Sequence, residues 1–115
     1  MPIGEVSEVS VDELSELLAG GLLARGGRLI DVREVDEYVE AHVPGAVLVS
    51  LSTVSDHVDA FRGDGPAYII CKSGGRSLMA AEFLAAHDVA AINVAGGTLA
   101  WMRHGFDTVA GTQLS

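Results

Sequence analysis

The only cysteine and the only lysine of this chain stand side by side in the stretch Ile70-Cys71-Lys72-Ser73-Gly74-Gly75-Arg76-Ser77. An apolar run precedes it, and a run rich in Ala, Leu and Met follows. A strand, a glycine-rich loop and a helix, in that order, bring backbone N–H groups and a helix N-terminus around one point. Gly74 and Gly75 permit positive φ, so successive amides can turn inward as a nest for an anion. The anion suggested here is the sulfur of Cys71 itself, a thiolate nucleophile. The competing reading is an inert buried thiol beside a surface lysine, because free cysteine is often a core residue.

Energies bear on that choice. A free thiol, with a pKa of about 8.5, is only a few per cent ionised at neutral pH. Lowering the pKa to about 6 takes about 3.4 kcal/mol of preference for the thiolate. A helix dipole contributes roughly 0.3–1 kcal/mol, up to about 2. Charge-assisted N–H bonds, about 1.5–3 kcal/mol each, can supply the rest. Loop shape therefore matters more than the lysine beside the sulfur. Loop length matters too. Four residues separate Cys71 from Arg76, one fewer than in the cysteine phosphatases, whose wider ring embraces a tetrahedral phosphate. Phosphatase loops usually open His-Cys, and Ile70 stands in that place here. A shorter ring suits a smaller guest, such as one extra sulfur on the cysteine.

Other residues could serve the loop. Lys72 could steer an anion or point to solvent. Arg76 is a cation at a helix start, where the dipole disfavours it; it would bind a donor or tie the loop to a carboxylate. The hydroxyls of Ser73 and Ser77 could reach the sulfur, with helix capping as the other duty of Ser77. Asp31 and Arg33, two apart at a strand end, point the same way. Arg33 would reach an anionic donor, or pair with Glu37 or Asp31 to brace the turn. The acids Glu34, Asp36, Glu37 and Glu40 read mostly as a solvated helix face, with a docking surface for a basic partner as the other option. His57, His87 and His104 show no metal-ligand spacing, so no metal or other cofactor is expected. Trp101 and Phe106 read as core anchors of the last helix.

These residues need elements to hold them. Ser10 with Glu13 forms a capping box, opening a helix over Val11 to Ala19. Arg28 to Val32 reads as a buried strand, Glu34 to Ala41 as a short helix ending before Pro44, and Ala46 to Val49 as a second strand. Ser52 to Phe61 reads as a helix, Ala67 to Ile70 as a third strand, Arg76 to His87 as a helix and Ala91 to Val94 as a fourth strand. Gly96-Gly97 makes a turn, and Thr98 caps a last helix reaching His104. Strands alternating with helices, without polar alternation inside the strands, predict an α/β fold with an open parallel sheet covered on both faces. Ligands in such folds bind at the carboxyl ends of strands, where Cys71, Asp31, Arg33 and the Gly96-Gly97 turn all fall. A chain of 115 residues makes one domain, with a core over about 5–108 and a loose tail over 109–115. A net charge of −9 disfavours nucleic acid and anionic lipid as partners. The acidic start MPIGEVSEVS lacks the basic end and apolar stretch of a signal peptide. With no membrane-spanning run, a cytoplasmic setting is expected, where a lone thiol stays reduced.

Three blocks resemble one family. LIDVREVDEYVEAHVPGAVLV (Leu29 to Val49), CKSGGRS (Cys71 to Ser77) and VAGGTLAWMRHGF (Val94 to Phe106) are similar, in order and spacing, to the signatures of single-domain rhodaneses. Ala41 departs from the glycine common there. The resemblance implies a rhodanese-like fold and a sulfurtransferase. Cys71 would take the outer sulfur of an anionic donor such as thiosulfate, hold it as a persulfide and pass it to cyanide, a thiol or a partner protein. Lys72, Ser73, Gly74, Gly75, Arg76, Ser77 and Arg33 would line the site, while Asp31, Glu37 and His42 would support it. Two alternatives stand beside this one: a rhodanese-like binding or sensing module without catalysis, and a cysteine phosphatase or arsenate reductase.

Overall fold

The structure is a computed structural model that describes residues 6–112. Residues 1–5, with the start of the acidic stretch MPIGEVSEVS, and 113–115, with the end of the expected loose tail, lie outside the described residues. Among the described residues, five strands form one parallel sheet: β1 (Ser7–Val9), β2 (Arg28–Asp31), β3 (Val47–Leu48), β4 (Ala67–Ile70) and β5 (Ala91–Val94). Their spatial order is β1-β5-β4-β2-β3. Among the described residues, four α-helices accompany them: α1 (Val11–Ala19), α2 (Val35–Glu40), α3 (Gly75–Ala86) and α4 (Gly97–Arg103).

Alternation along the two central strands creates two cores. Leu29, Tyr68 and Ile70 face Val11, Leu14, Tyr38 and Trp101 on one side. Ile30, Ala67 and Ile69 face Phe61, Ala80, Ala81 and Leu84 on the other. Every residue of β4 is buried, as expected for a central strand covered on both faces. Sheet order reverses between β2 and β4. The β2 crossover runs outward through α2 to β3, and the β4 crossover runs the opposite way through α3 to β5. The crevice between them opens at the strands' carboxyl ends, directly above Asp31 and Cys71.

Helix α1 forms as the sequence predicts. The Glu13 N–H donates to Ser10 Oγ (3.1 Å), and the Ser10 N–H donates to the Glu13 carboxylate (2.9 Å). The helix expected over Ser52 to Phe61 is instead two 3₁₀ turns, Leu51–Asp56 and Val58–Phe61. Thr53 donates its hydroxyl to the Ser50 carbonyl (2.8 Å), and Thr53, Val54 and Val58 are β-branched, so the tighter turn wins over the α-helix. Two more expectations need correction. Strand β1 is absent from the sequence reading, since Ser7-Glu8-Val9 has no apolar run and pairs with a strand distant in sequence. The tail is tied as far as Gly111: Val109 exchanges two backbone hydrogen bonds of 2.9 Å with His42, and the Gly111 N–H donates to the Val39 carbonyl. Among the described residues no helix is long and apolar enough to cross a membrane.

Candidate active site

Cys71 is the first residue past β4 and is 1% exposed. Its Sγ accepts the Gly74 N–H at 3.1 Å and the Ser77 hydroxyl at 3.3 Å. Gly74 takes the left-handed conformation (φ 109°) that starts α3. Gly75 does not share it, contrary to the expectation that both glycines would; it is the first helical residue, with open space where a Cβ would go. Burial pushes the Cys71 thiol up. The Ser77 hydroxyl and the amides of Ser77, Gly74 and Ser73 pull it down and prevail, so it lies below its ordinary value. Ser77 is therefore no cap: it is buried in the first turn of α3 with its hydroxyl at the sulfur. Ser73 contributes its amide rather than its hydroxyl.

The turn before α4 holds the other side of the loop. Thr98 donates both its N–H (2.8 Å) and its hydroxyl (3.0 Å) to the Cys71 carbonyl, and the Leu99 N–H donates to the Lys72 carbonyl (3.0 Å). Gly96 is the cap, so Thr98 serves the neighbouring loop rather than its own helix. With those carbonyls bound to α4, the amides that follow are free to face the sulfur.

Arg33 resolves as a brace. It is 5% exposed. Nε donates to both oxygens of the fully buried Asp31 carboxylate (3.0 and 3.1 Å), and Nη2 donates to Asp31 Oδ2 (2.9 Å) and the Ala41 carbonyl (2.7 Å). A buried pair of this kind is costly to break from one side only. His42 is buried, stacks on Tyr38 (ring centroids 3.7 Å apart) and donates from Nδ1 to the Tyr38 carbonyl (2.8 Å). Both contacts tie it to α2.

Glu37 belongs to the loop rather than to a solvated face. Arg76 forks onto it with two bonds of 2.8 Å, across 39 residues of sequence. The Glu37 carboxylate also accepts the Glu34 N–H (2.9 Å). Chiefly through Arg76, its carboxyl is held down at about 2, against an ordinary 4.5. A folded-state value below the unfolded one stabilises the fold above pH 4.5, and that contribution is lost as pH falls toward 2. The two side chains are 26% and 33% exposed, so screening keeps the contribution small, on the order of 1 kcal/mol. Glu37→Gln should therefore be less stable than the native chain at pH 7 in urea unfolding, with the gap closing as the solution is acidified. A gap that stays constant with pH would remove the ionic pair from the account.

Lys72 is exposed and, among the described residues, has no carboxylate partner. With Arg33, Glu37, Leu99 and Met102 it lines a cleft of about 200 Å³ beside the loop. One participant escaped sequence reading. Asn93, 1% exposed on β5, accepts the Ser77 hydroxyl at 2.6 Å. Its signal was available, as a lone polar residue in the strand Ala91-Ile92-Asn93-Val94.

The model of the Rhodanese-like domain family matches residues 10–104. Thiosulfate sulfurtransferase 16 of Arabidopsis thaliana is 31% identical over 113 residues, covering 84% of this chain and 92% of that protein. A Bacillus subtilis protein provisionally named a sulfur carrier is 39% identical over 74 residues, or 64% of this chain, and the chain spans 40% of that relative's length. A rhodanese-like domain protein of Staphylococcus aureus superposes with a TM-score of 0.75 at 32% identity, over 84% of this chain and 91% of that one.

Proposed function

The chain belongs to the rhodanese-like domain family, and from that premise we propose that it is a sulfurtransferase that carries a sulfane sulfur on Cys71. The observation that carries this reading is the sulfur itself: at a strand end and a helix start, Sγ accepts the Gly74 amide and the Ser77 hydroxyl, and its thiol lies below the ordinary value despite burial. A thiol shifted in that direction is a stronger nucleophile at a given pH than an ordinary buried one.

The proposed steps are these. The Cys71 thiolate attacks the outer sulfur of thiosulfate. A new S–S bond forms, the old one breaks, and sulfite leaves with the bonding pair. The persulfide retains one negative charge, which the loop amides stabilise. An acceptor thiolate or cyanide then attacks the terminal sulfur, and Cys71 departs as thiolate. Because so little of Cys71 reaches the surface, a slender donor atom suits the loop better than a phosphate ester. Lys72 gives an incoming anion a local cation, and the net charge of −9 is screened beyond about 8 Å at physiological salt. Cytoplasm, a reducing compartment, suits a reaction that needs its thiol free.

Intact-mass measurement after incubation with thiosulfate tests the proposal. The expected result is a gain of ~32 Da that cyanide removes, as a covalent sulfur intermediate requires. No gain with any sulfane donor would favour a binding module, and turnover of an aryl phosphate would favour the phosphatase reading.

A further inference from the structure

Ser77 has one hydroxyl proton and three acceptors in reach: Asn93 Oδ1 at 2.6 Å, the Gly74 carbonyl at 3.2 Å and Cys71 Sγ at 3.3 Å. Only one can hold it at a time. Asn93 makes the shortest of these contacts, and its orientation is not free. Asn93 Nδ2 donates to Glu8 Oε2 at 2.7 Å, from β5 to β1. A carboxylate only accepts, so the amide must turn its NH₂ toward Glu8 and its oxygen toward Ser77. The Ser77 proton is thereby drawn away from the sulfur.

We propose that Asn93, oriented by Glu8, is a positioning residue that competes with Cys71 for the Ser77 proton and so restrains ionisation of the nucleophile. The proposal rests on the reading of Cys71 as the sulfur carrier. When Cys71 is a thiol, the hydroxyl points at Asn93. Ionisation requires it to turn to Sγ, which leaves a buried amide oxygen without its donor. The loop thus tempers its own thiolate, leaving the thiol less acidic than an undivided Ser77 donor would make it. Such tempering has chemical use, since intrinsic thiolate reactivity falls as the thiol becomes more acidic. The charged groups around the sulfur are Arg76 on α3, already engaged by Glu37 of α2, Lys72 in the loop, the Asp31–Arg33 pair from β2 and Glu8 from β1. Replacing neutral Asn93 adds and removes no charge; of these groups only Glu8 loses a hydrogen bond, which is why Glu8 is tested as well.

The lone cysteine makes the test direct: ultraviolet absorbance of the thiolate, titrated against pH and corrected with Cys71→Ser, reports residue 71 alone. Asn93→Leu should move the midpoint to lower pH and raise the thiolate-to-thiol ratio below it by about 3- to 10-fold, the worth of one regained donor. Asn93→Ala removes the amide without adding bulk and should shift it the same way, so the test survives if leucine disrupts folding. Ser77→Ala should move the midpoint upward, and in that background Asn93→Leu should do nothing. Glu8→Ala should act through Asn93 and lose most of its effect in the Asn93→Leu background. An unchanged or raised midpoint in the Asn93 variants, or an equal shift without the Ser77 hydroxyl, overturns the proposal. The titration needs no sulfur donor, so it stands or falls separately from sulfur transfer.

Discussion

Cys71→Ser is expected to abolish sulfur uptake. The variant should show no ~32 Da gain with thiosulfate, and transfer should fall by on the order of 10³-fold or more. Serine offers a hydroxyl that does not ionise near neutrality, and an oxygen cannot hold a sulfane sulfur as a disulfide-like bond. The fold should survive the change. Residue 71 is 1% exposed and part of the core beneath α3, where an unsatisfied hydroxyl would be costly. Here the Gly74 amide already donates to the position and the Ser77 oxygen lies beside it, so the new hydroxyl meets a donor and an acceptor on arrival. Circular dichroism and urea unfolding close to those of the native chain, alongside lost uptake, are the expected pair. Uptake that persisted would mean that the sulfur resides elsewhere in a chain with no other cysteine.

The second large effect is expected at Gly97, four positions before the buried Trp101. Gly97 has φ +61°, and a Cβ there would lie 2.5 Å from the Cys71 carbonyl oxygen and 2.6 Å from the Lys72 carbonyl. Both neighbours are backbone, and neither can turn aside without moving the loop. Left-handed strain for a residue with a Cβ costs about 1–2 kcal/mol, and overpacking adds about 1–3 kcal/mol. Relief would push the loop off the Thr98 and Leu99 amides that hold its carbonyls. A displacement of about 1 Å at reacting atoms costs on the order of 10²-fold in rate. Gly97→Ala should thus lose both stability and sulfur transfer. Gly75→Ala is the contrast. That glycine is helical with nothing within 4 Å of its missing Cβ, so its variant should be as stable as the native chain or slightly more so. If the two variants unfold at the same urea concentration, the close approach of the two loops does not constrain the site.

Much of the site was legible because it is local. Ala67-Tyr68-Ile69-Ile70 is continuously apolar, the glycines follow at once, and α3 begins within four residues of Cys71. A nucleophile at a strand end and helix start can be read from such a run. The Ser10–Glu13 capping box was legible for the same reason, its partners being three residues apart. Asp31 and Arg33 were placed together by strand periodicity, but nothing local distinguished a donor-binding arginine from a brace. That depended on the Ala41 carbonyl, which arrives from the far end of α2.

The residues missed or left open were those whose partners come from afar. Glu37 read both as a solvated acid and as support for the site, and only the fold brings Arg76 onto it. Asn93 and Glu8, 85 residues apart, meet only because β1 pairs with β5. Ser77 and Thr98 both looked like helix caps, and both instead serve Cys71.

Sequence alone determined the parallel α/β architecture, the place of Cys71 at a strand end and the glycine that lets its loop curl, because apolar period, glycine placement and cysteine identity act over a few residues. Tertiary structure alone decided what each polar side chain does there. A hydrogen bond or ion pair depends on which donor and acceptor the packed sheet brings within about 3 Å, and no spacing along the chain encodes that distance.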